Sequence, residues 1–168
     1  MEKSESIEIA ASEQRVWEVA AGEFDRIDRW ASNVTKSQGI DATHAPGLPE
    51  VPTGGRVCAT PQGQTTERFV AFDEAGRTFT YAVTGDAMPG FVRRATNRWT
   101  VEPIDAKRAR LTMTVEMETR GVLGTLMKPM MRFGMGRLLR VNLEEIKHYI
   151  ETGSPHARKR AADARARG

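Results

Sequence analysis

Cysteine is nearly absent from this chain. A single Cys58 in 168 residues excludes an internal disulfide framework, and a lone thiol of this kind is most at home as a small buried strand residue. Histidine is scarce too. His44, His148 and His156 fall in a loop, near the end of a helical segment and in the C-terminal region, and they make no metal-ligand spacing with the one cysteine. No run of about 18 apolar residues exists, so no membrane-spanning helix is predicted. There is no nucleophile elbow, no Walker loop, and Gly134-Met135-Gly136 sits in a helical pattern and fails the dinucleotide fingerprint. No metal and no cofactor is therefore expected.

The charge is unevenly spread. The chain holds 25 basic and 22 acidic residues. Residues 156–168 alone contribute Arg158, Lys159, Arg160, Arg165 and Arg167 against Asp163, which leaves 20 basic and 21 acidic groups in residues 1–155. The basic balance belongs to the end of the chain. With few apolar residues, 154–168 reads as a disordered basic tail, and without aromatic rings to stack on bases it predicts no specific nucleic-acid partner. The remainder, residues 1–153, reads as one domain by length. Met1-Glu2-Lys3-Ser4-Glu5 is charged with no apolar run behind it, so a cytoplasmic location is expected.

What is present is a strand-rich middle closed by one long helix. Ser6–Ala10 reads as a first strand. Ser12 caps a short helix to about Ala21, and Phe24, Ile27 and Trp30 stand at helical spacing in a second. Val34–Ile40 reads as a second strand. His44–Gly55, with Pro46, Pro49 and Pro52, reads as a loop. Arg56–Thr60, Thr65–Phe72, Thr78–Thr84 and Phe91–Val101 follow as strands, the last stopped by Pro103. From Ala109 to Thr119 apolar and polar residues alternate strictly, the mark of an antiparallel sheet with one dry face. Its cover is a helix over about Val122–Glu151, with Met127, Met131, Met135, Leu138, Asn142, Ile146 and Tyr149 at steps of three or four. Pro129 predicts a kink or a break. The order is α+β: seven strands forming a curved antiparallel sheet, two short helices between strands 1 and 2, and a long C-terminal helix with an apolar pocket beneath it.

Three segments carry a resemblance. Ile7-Glu8-Ile9-Ala10-Ala11-Ser12-Glu13-Gln14-Arg15-Val16-Trp17 is similar to an opening strand and a "P-A-x-x-V-W" helix start, with Ala11-Ser12 where the proline-alanine pair often stands. Thr66-Glu67-Arg68-Phe69 through Phe72-Asp73, with Tyr81, resembles an "E-R-x-x-x-x-D … Y" block. Arg98-Trp99-Thr100-Val101-Glu102-Pro103 resembles an "x-W-x-V-x-P" strand. Over residues 5–152 the chain resembles the START-like (SRPBCC) superfamily, which holds polyketide cyclase/dehydratase-like proteins, lipid-transfer domains, birch-pollen-allergen-type proteins and plant hormone receptors. The resemblance implies the helix-grip fold. It also implies an inward Glu67, because the glutamate of the "E-R" block faces the pocket in the hormone receptors.

Strand parity nominates the remaining site residues. If Trp99 faces inward, so do Phe91, Arg93, Ala95, Asn97 and Val101. Glu67 shares its face with Phe69 and Ala71, and an inward Arg93 needs such a partner; the alternative is that Glu67 and Arg93 are solvated charges at a mouth. The ligand-binding set is then Glu67, Phe69, Tyr81, Arg93, Asn97, Trp99, Met113, Met117, Met127 and Met131, a mostly oily wall with a few polar groups. Methionine suits core and adaptable pockets alike. The leading expectation is binding or transport of a hydrophobic small molecule, lipid or polyketide-like. The alternatives are a cyclase/dehydratase using acid–base groups in the same cavity, and a membrane-surface module built on Met127–Arg140, whose weak membrane contact would rest on Lys128, Arg132, Arg137 and Arg140. No catalytic residue and no oligomeric state is legible.

Overall fold

The computed structural model describes every residue except 45, 46, 49, 50, 87 and 168, so the turn signals Pro46 and Pro49 lie outside the described residues. Seven antiparallel strands, β1 (Glu2–Ile9), β2 (Lys36–Ile40), β3 (Gly55–Thr60), β4 (Gly63–Asp73), β5 (Thr78–Gly85), β6 (Val92–Asp105) and β7 (Arg108–Thr119), form one sheet in the order β1-β7-β6-β5-β4-β3-β2. Between β1 and β2 lie helix α1 (Glu13–Trp17), a π turn over Glu18–Gly22 and a 3-10 segment over Phe24–Arg29. Ser12 caps α1 by accepting a hydrogen bond from the Arg15 amide. Helix α2 (Gly121–Thr152) and a further helix, α3 (Ala157–Arg167), complete the chain. This is the helix-grip fold that the strand order predicts.

Three irregularities depart from simple alternation. The β4–β5 register shifts between Phe69 and Ala71, so Phe72 and not Ala71 follows Phe69 on the inner face. The β6–β7 register shifts between Val92 and Arg94, which removes Arg93 from the inward file, and Arg93 is exposed. Strand β6 also continues past Pro103, which lies opposite Ala109 just before a third shift. A proline is tolerated where the ladder is already interrupted.

The long helix tracks β1. Gly136 lies against Lys3, where an added Cβ would fall 2.8 Å from the lysine Cε. Further on, Arg140 pairs with Glu5 at 2.7 Å, Lys147 Nζ donates to the Glu8 carbonyl at 2.6 Å, and the Glu151 carboxylate accepts from the Ala10 amide at 2.7 Å. Fifteen helical residues and seven strand residues both span about 22–23 Å, so the two elements stay in step. Before the contact of Gly136 with Lys3, β1 has only Glu2 left while α2 has fifteen residues. In that first half only Gly124 is buried; in the second half Leu139, Leu143, Glu145, Ile146 and Ile150 are. The buried file is therefore Leu139, Leu143, Ile146 and Ile150, one step out of phase with the predicted Leu138, Asn142 and Tyr149. The helix also runs unbroken through Pro129. That proline removes one hydrogen bond in an exposed turn, where water can satisfy the freed carbonyl.

The C-terminal region is a docked helix, which corrects the disordered-tail expectation. Lys159 is 2% exposed; its ammonium donates to the Val34 carbonyl at 2.9 Å and pairs with Asp163 at 2.7 Å. Glu145, fully buried, accepts from the Ser32 amide at 2.8 Å and from Arg158 Nε at 3.0 Å. Charge composition suggests disorder here, but two of the basic residues find buried acceptors on the body of the protein. Truncation after Gly153 is expected to lower the unfolding free energy by about 2–4 kcal/mol, because it leaves the buried Glu145 carboxylate without its cation. A urea melt that moves by less than about 0.5 kcal/mol would mean that the helix contributes nothing.

Candidate ligand-binding site

The registers set the inner face of the sheet in three rows. Arg56, Glu67, Val83, Ala95 and Met117 stand opposite one another from β3 to β7. Phe69, Tyr81, Asn97 and Val115 form the second row, and Phe72, Phe79, Trp99 and Met113 the third. The third row is sealed. Trp17 packs on Phe72 and Phe79 at 5.6 and 5.7 Å between ring centroids, and Trp30 packs on Trp99 at 6.3 Å. Phe24 closes half of the second row, 4.4 Å from Phe69 and 5.1 Å from Tyr81. Phe69, Trp99 and the fully buried Met113 are thus core under the short helical segments.

The first row stays partly open. Glu67, Val83 and Met117 are half-buried, as is Asn97 in the row behind. Met127 and Met131 are half-buried on α2, in one i+4 file with Met135, which packs against the core. Glu67, Val83, Asn97 and Met117 thus stand at the less covered end of the inner face, and Met127 and Met131 on the first half of the helix. Two clefts of about 260 and 200 Å³ open elsewhere on the surface; of the predicted site residues only Met117 borders either.

Glu67 does find a buried cation, but it is Arg56. The Arg56 guanidinium is 2% exposed and donates through Nε to Glu67 Oε2 at 2.6 Å and through Nη1 to the Phe24 carbonyl at 2.6 Å. Its carbon lies 3.8 Å from the centroid of the Phe24 ring, a cation–π contact. Arg93 plays no part, because the bulge at the start of β6 turns it to solvent. Parity carried the missed signal: Arg56 lies two residues before Cys58 and shares its inward face. Burial by itself would lower the Arg56 pKa, but the Glu67 charge overrides it and raises the value. Both guanidinium contacts use Oε2, and Glu67 Oε1 takes no hydrogen bond among the described residues.

Beside this pair, Asn97 Nδ2 donates to the Tyr81 hydroxyl at 2.8 Å. Burial, reinforced by the Glu67 charge, pushes the Tyr81 phenol far above its ordinary range, so it stays protonated. Asn97 Oδ1, Trp99 Nε1 and Asn142 Oδ1 are buried with no hydrogen-bond partner. Such atoms are paired in the great majority of proteins. The first two project from the inner face of β6, and the third comes from α2.

Residues 2–151 match the family described as polyketide cyclase / dehydrase and lipid transport, and the chain belongs to that family. No curated protein matches it in sequence. Similar solved structures include a START superfamily protein from Mycobacterium smegmatis, 11% identical over 91% of this chain and 99% of that one, with a TM-score of 0.69. The Zhui aromatase/cyclase from a Streptomyces species is 16% identical over 93% and 99%, with a TM-score of 0.62. Norcoclaurine synthase from Thalictrum flavum, in complex with dopamine and hydroxybenzaldehyde, is 16% identical over 89% and 86%, with a TM-score of 0.65. At these identities the likeness is one of fold.

Arg56→Met is expected to cost about 3–5 kcal/mol, because it leaves Glu67 and the Phe24 carbonyl without their donor, while Arg56→Met with Glu67→Leu should recover most of the loss. Equal destabilisation of the single and double variants in urea melts would show that the pair is not the unit described. Tyr81 supplies a second test. Its folded-state pKa lies above its unfolded value, so the unfolded chain releases the proton first as pH rises. Stability should then fall by about 1.4 kcal/mol per pH unit above about pH 10. In Tyr81→Phe this component of the slope should vanish; an identical alkaline slope would reject the sealed position of the hydroxyl.

Proposed function

We propose that this protein binds and carries a hydrophobic small molecule with an oily body and one hydrogen-bonding end, held at the mouth between Glu67, Asn97, Met117, Met127 and Met131. The observation that carries the reading is the pair of unpaired buried amide oxygens, Asn97 Oδ1 and Asn142 Oδ1. Each is left without a hydrogen bond at a cost of about 1–3 kcal/mol. A ligand that presents donors there removes that cost, and such sparse polar groups in an oily wall fix orientation. The family description, which includes lipid transport, supports the same class of ligand.

Acid–base catalysis of a cyclisation or dehydration is the second reading, favoured by the unoccupied Oε1 of Glu67. Against it, burial holds the Tyr81 phenol protonated far from the working pH, whereas a general acid or base works best with a pKa near it.

Titration with N-phenyl-1-naphthylamine, a neutral apolar fluorophore, followed by its fluorescence, tests the carrier reading. Val83→Trp fills the mouth and should abolish binding with the fold intact by circular dichroism. Asn97→Leu should weaken binding by about fivefold to tenfold, the value of one hydrogen bond, and Glu67→Gln should change it less than about threefold. Undiminished binding in Val83→Trp would place the probe elsewhere and overturn the reading. A catalyst would instead lose turnover of a supplied polyketide-like substrate in Glu67→Gln while keeping its affinity.

A further inference from the structure

The first half of α2 has an outer face that the fold leaves bare. Val122 is 86% exposed, Leu126 74%, Met130 62% and Phe133 74%, with Leu123 beside them at 58%. Five of the eight large hydrophobic residues exposed among the described residues therefore lie within twelve positions of one helix. Val122, Leu126, Met130, Phe133 and Arg137 follow at steps of four, four, three and four, so they form one stripe. The stripe lies away from the file of Met127, Met131 and Met135 that faces the mouth. Contiguous apolar surface of this kind marks an interaction site.

The charge on the same segment is of one sign. Residues 121–143 contain Lys128, Arg132, Arg137 and Arg140 and no aspartate or glutamate. Arg140 is tied to Glu5, whereas Lys128, Arg132 and Arg137 have no acidic partner among the described residues. Arg132 flanks the stripe, Arg137 continues it at the C-terminal end, and Lys128 lies on the other side of the helix. An exposed helix with an apolar face and basic residues on its flanks has the form of one lying in a membrane interface, its apolar side chains reaching about 5–10 Å into the headgroup boundary and its basic stems snorkelling outward.

We propose that the first half of α2 docks on an anionic lipid bilayer, with Leu126, Met130 and Phe133 entering the interface and Arg132 and Arg137 meeting acidic headgroups. Charge selects this occupant over a second copy of the chain. A self-complementary contact through the stripe would bring two sets of unpaired basic side chains together with no acid between them. An acidic protein fits less well, because the stripe lacks the Trp and Tyr anchors on which protein interfaces concentrate their energy. The proposal is independent of the cavity reading, since the stripe and the mouth lie on different sides of the helix.

Flotation of the full chain with vesicles decides it. Binding is expected to phosphatidylcholine vesicles containing about 30% phosphatidylserine and not to phosphatidylcholine alone, and it should weaken as salt rises. The triple variant Leu126→Ser, Met130→Ser and Phe133→Ser should lose at least about tenfold in partition coefficient. Arg132→Glu with Arg137→Glu should lose at least about tenfold as well, at roughly fivefold for each charge removed, and this pair serves if the triple variant fails to fold. No binding to the anionic vesicles, equal binding to both kinds, or binding that both variants retain would each overturn the proposal. So would a dimer in analytical ultracentrifugation that the triple variant dissolves while vesicles bind nothing, which would make a second copy the occupant.

Discussion

A helix of 32 residues set in step with a strand of eight is the constraint on which the rest of this structure depends. The two rises match only while both elements last, and β1 ends first. The half of α2 that has a strand beside it supplies the deep core through Leu139, Leu143 and Ile146, and it holds Glu145, on which α3 docks. The half without one keeps its apolar residues on both sides. One side carries the half-buried Met127, Met131 and Met135, and the other is bare. Helical stability in such a segment comes mainly from tertiary packing. Gly134, which meets nothing within 4 Å, and Pro129 both weaken it further at exposed turns, so this is the part of the helix least held in place.

The inner face of the sheet is graded in the same direction. At one end the aromatic residues of β4, β5 and β6 interlock with Trp17, Phe24 and Trp30, and no volume is left for a ligand. At the other, Glu67, Val83, Ala95 and Met117 have no aromatic cover. The Arg56–Glu67 pair sits on the boundary. A buried pair of this kind adds little net stability over apolar residues of the same size, yet breaking it is costly. Its retention is best understood by what it does to its neighbours: Arg56 ties β3 to the Phe24 backbone beneath the short helical segments.

Much of the fold was legible because its elements carry period and punctuation that tertiary context does not override. The alternation of Ala109–Thr119 fixed a one-sided antiparallel strand, and the capped turn at Ser12 fell where expected. The site was harder to read, because strand parity propagates only until a bulge. One extra residue at the start of β6 sends Arg93 outward, and another in β4 replaces Ala71 with Phe72 on the inner face. No local sequence signal marks either bulge. Arg56 could have been found by extending the inward parity of Cys58 back two residues. The docking of α3 could not, since composition reports the solubility of a segment and says nothing of buried acceptors waiting elsewhere, here Glu145 and the Val34 carbonyl.

The electrostatics of the mouth bear on the kind of ligand it can take. A carboxylate already paired with a buried guanidinium offers an acceptor at Oε1 without a free charge to neutralise, so a second cation has little to gain there. An anionic head would find no free cation at this pair, since the Arg56 guanidinium is already taken by Glu67 and the Phe24 carbonyl. The groups left are neutral acceptors, Asn97 Oδ1 and Asn142 Oδ1. A neutral hydroxyl at the end of an apolar skeleton satisfies them, and a carboxylate does not. A molecule of that kind partitions into membranes, so a carrier for it has reason to meet a bilayer near the same end of the helix at which the mouth opens.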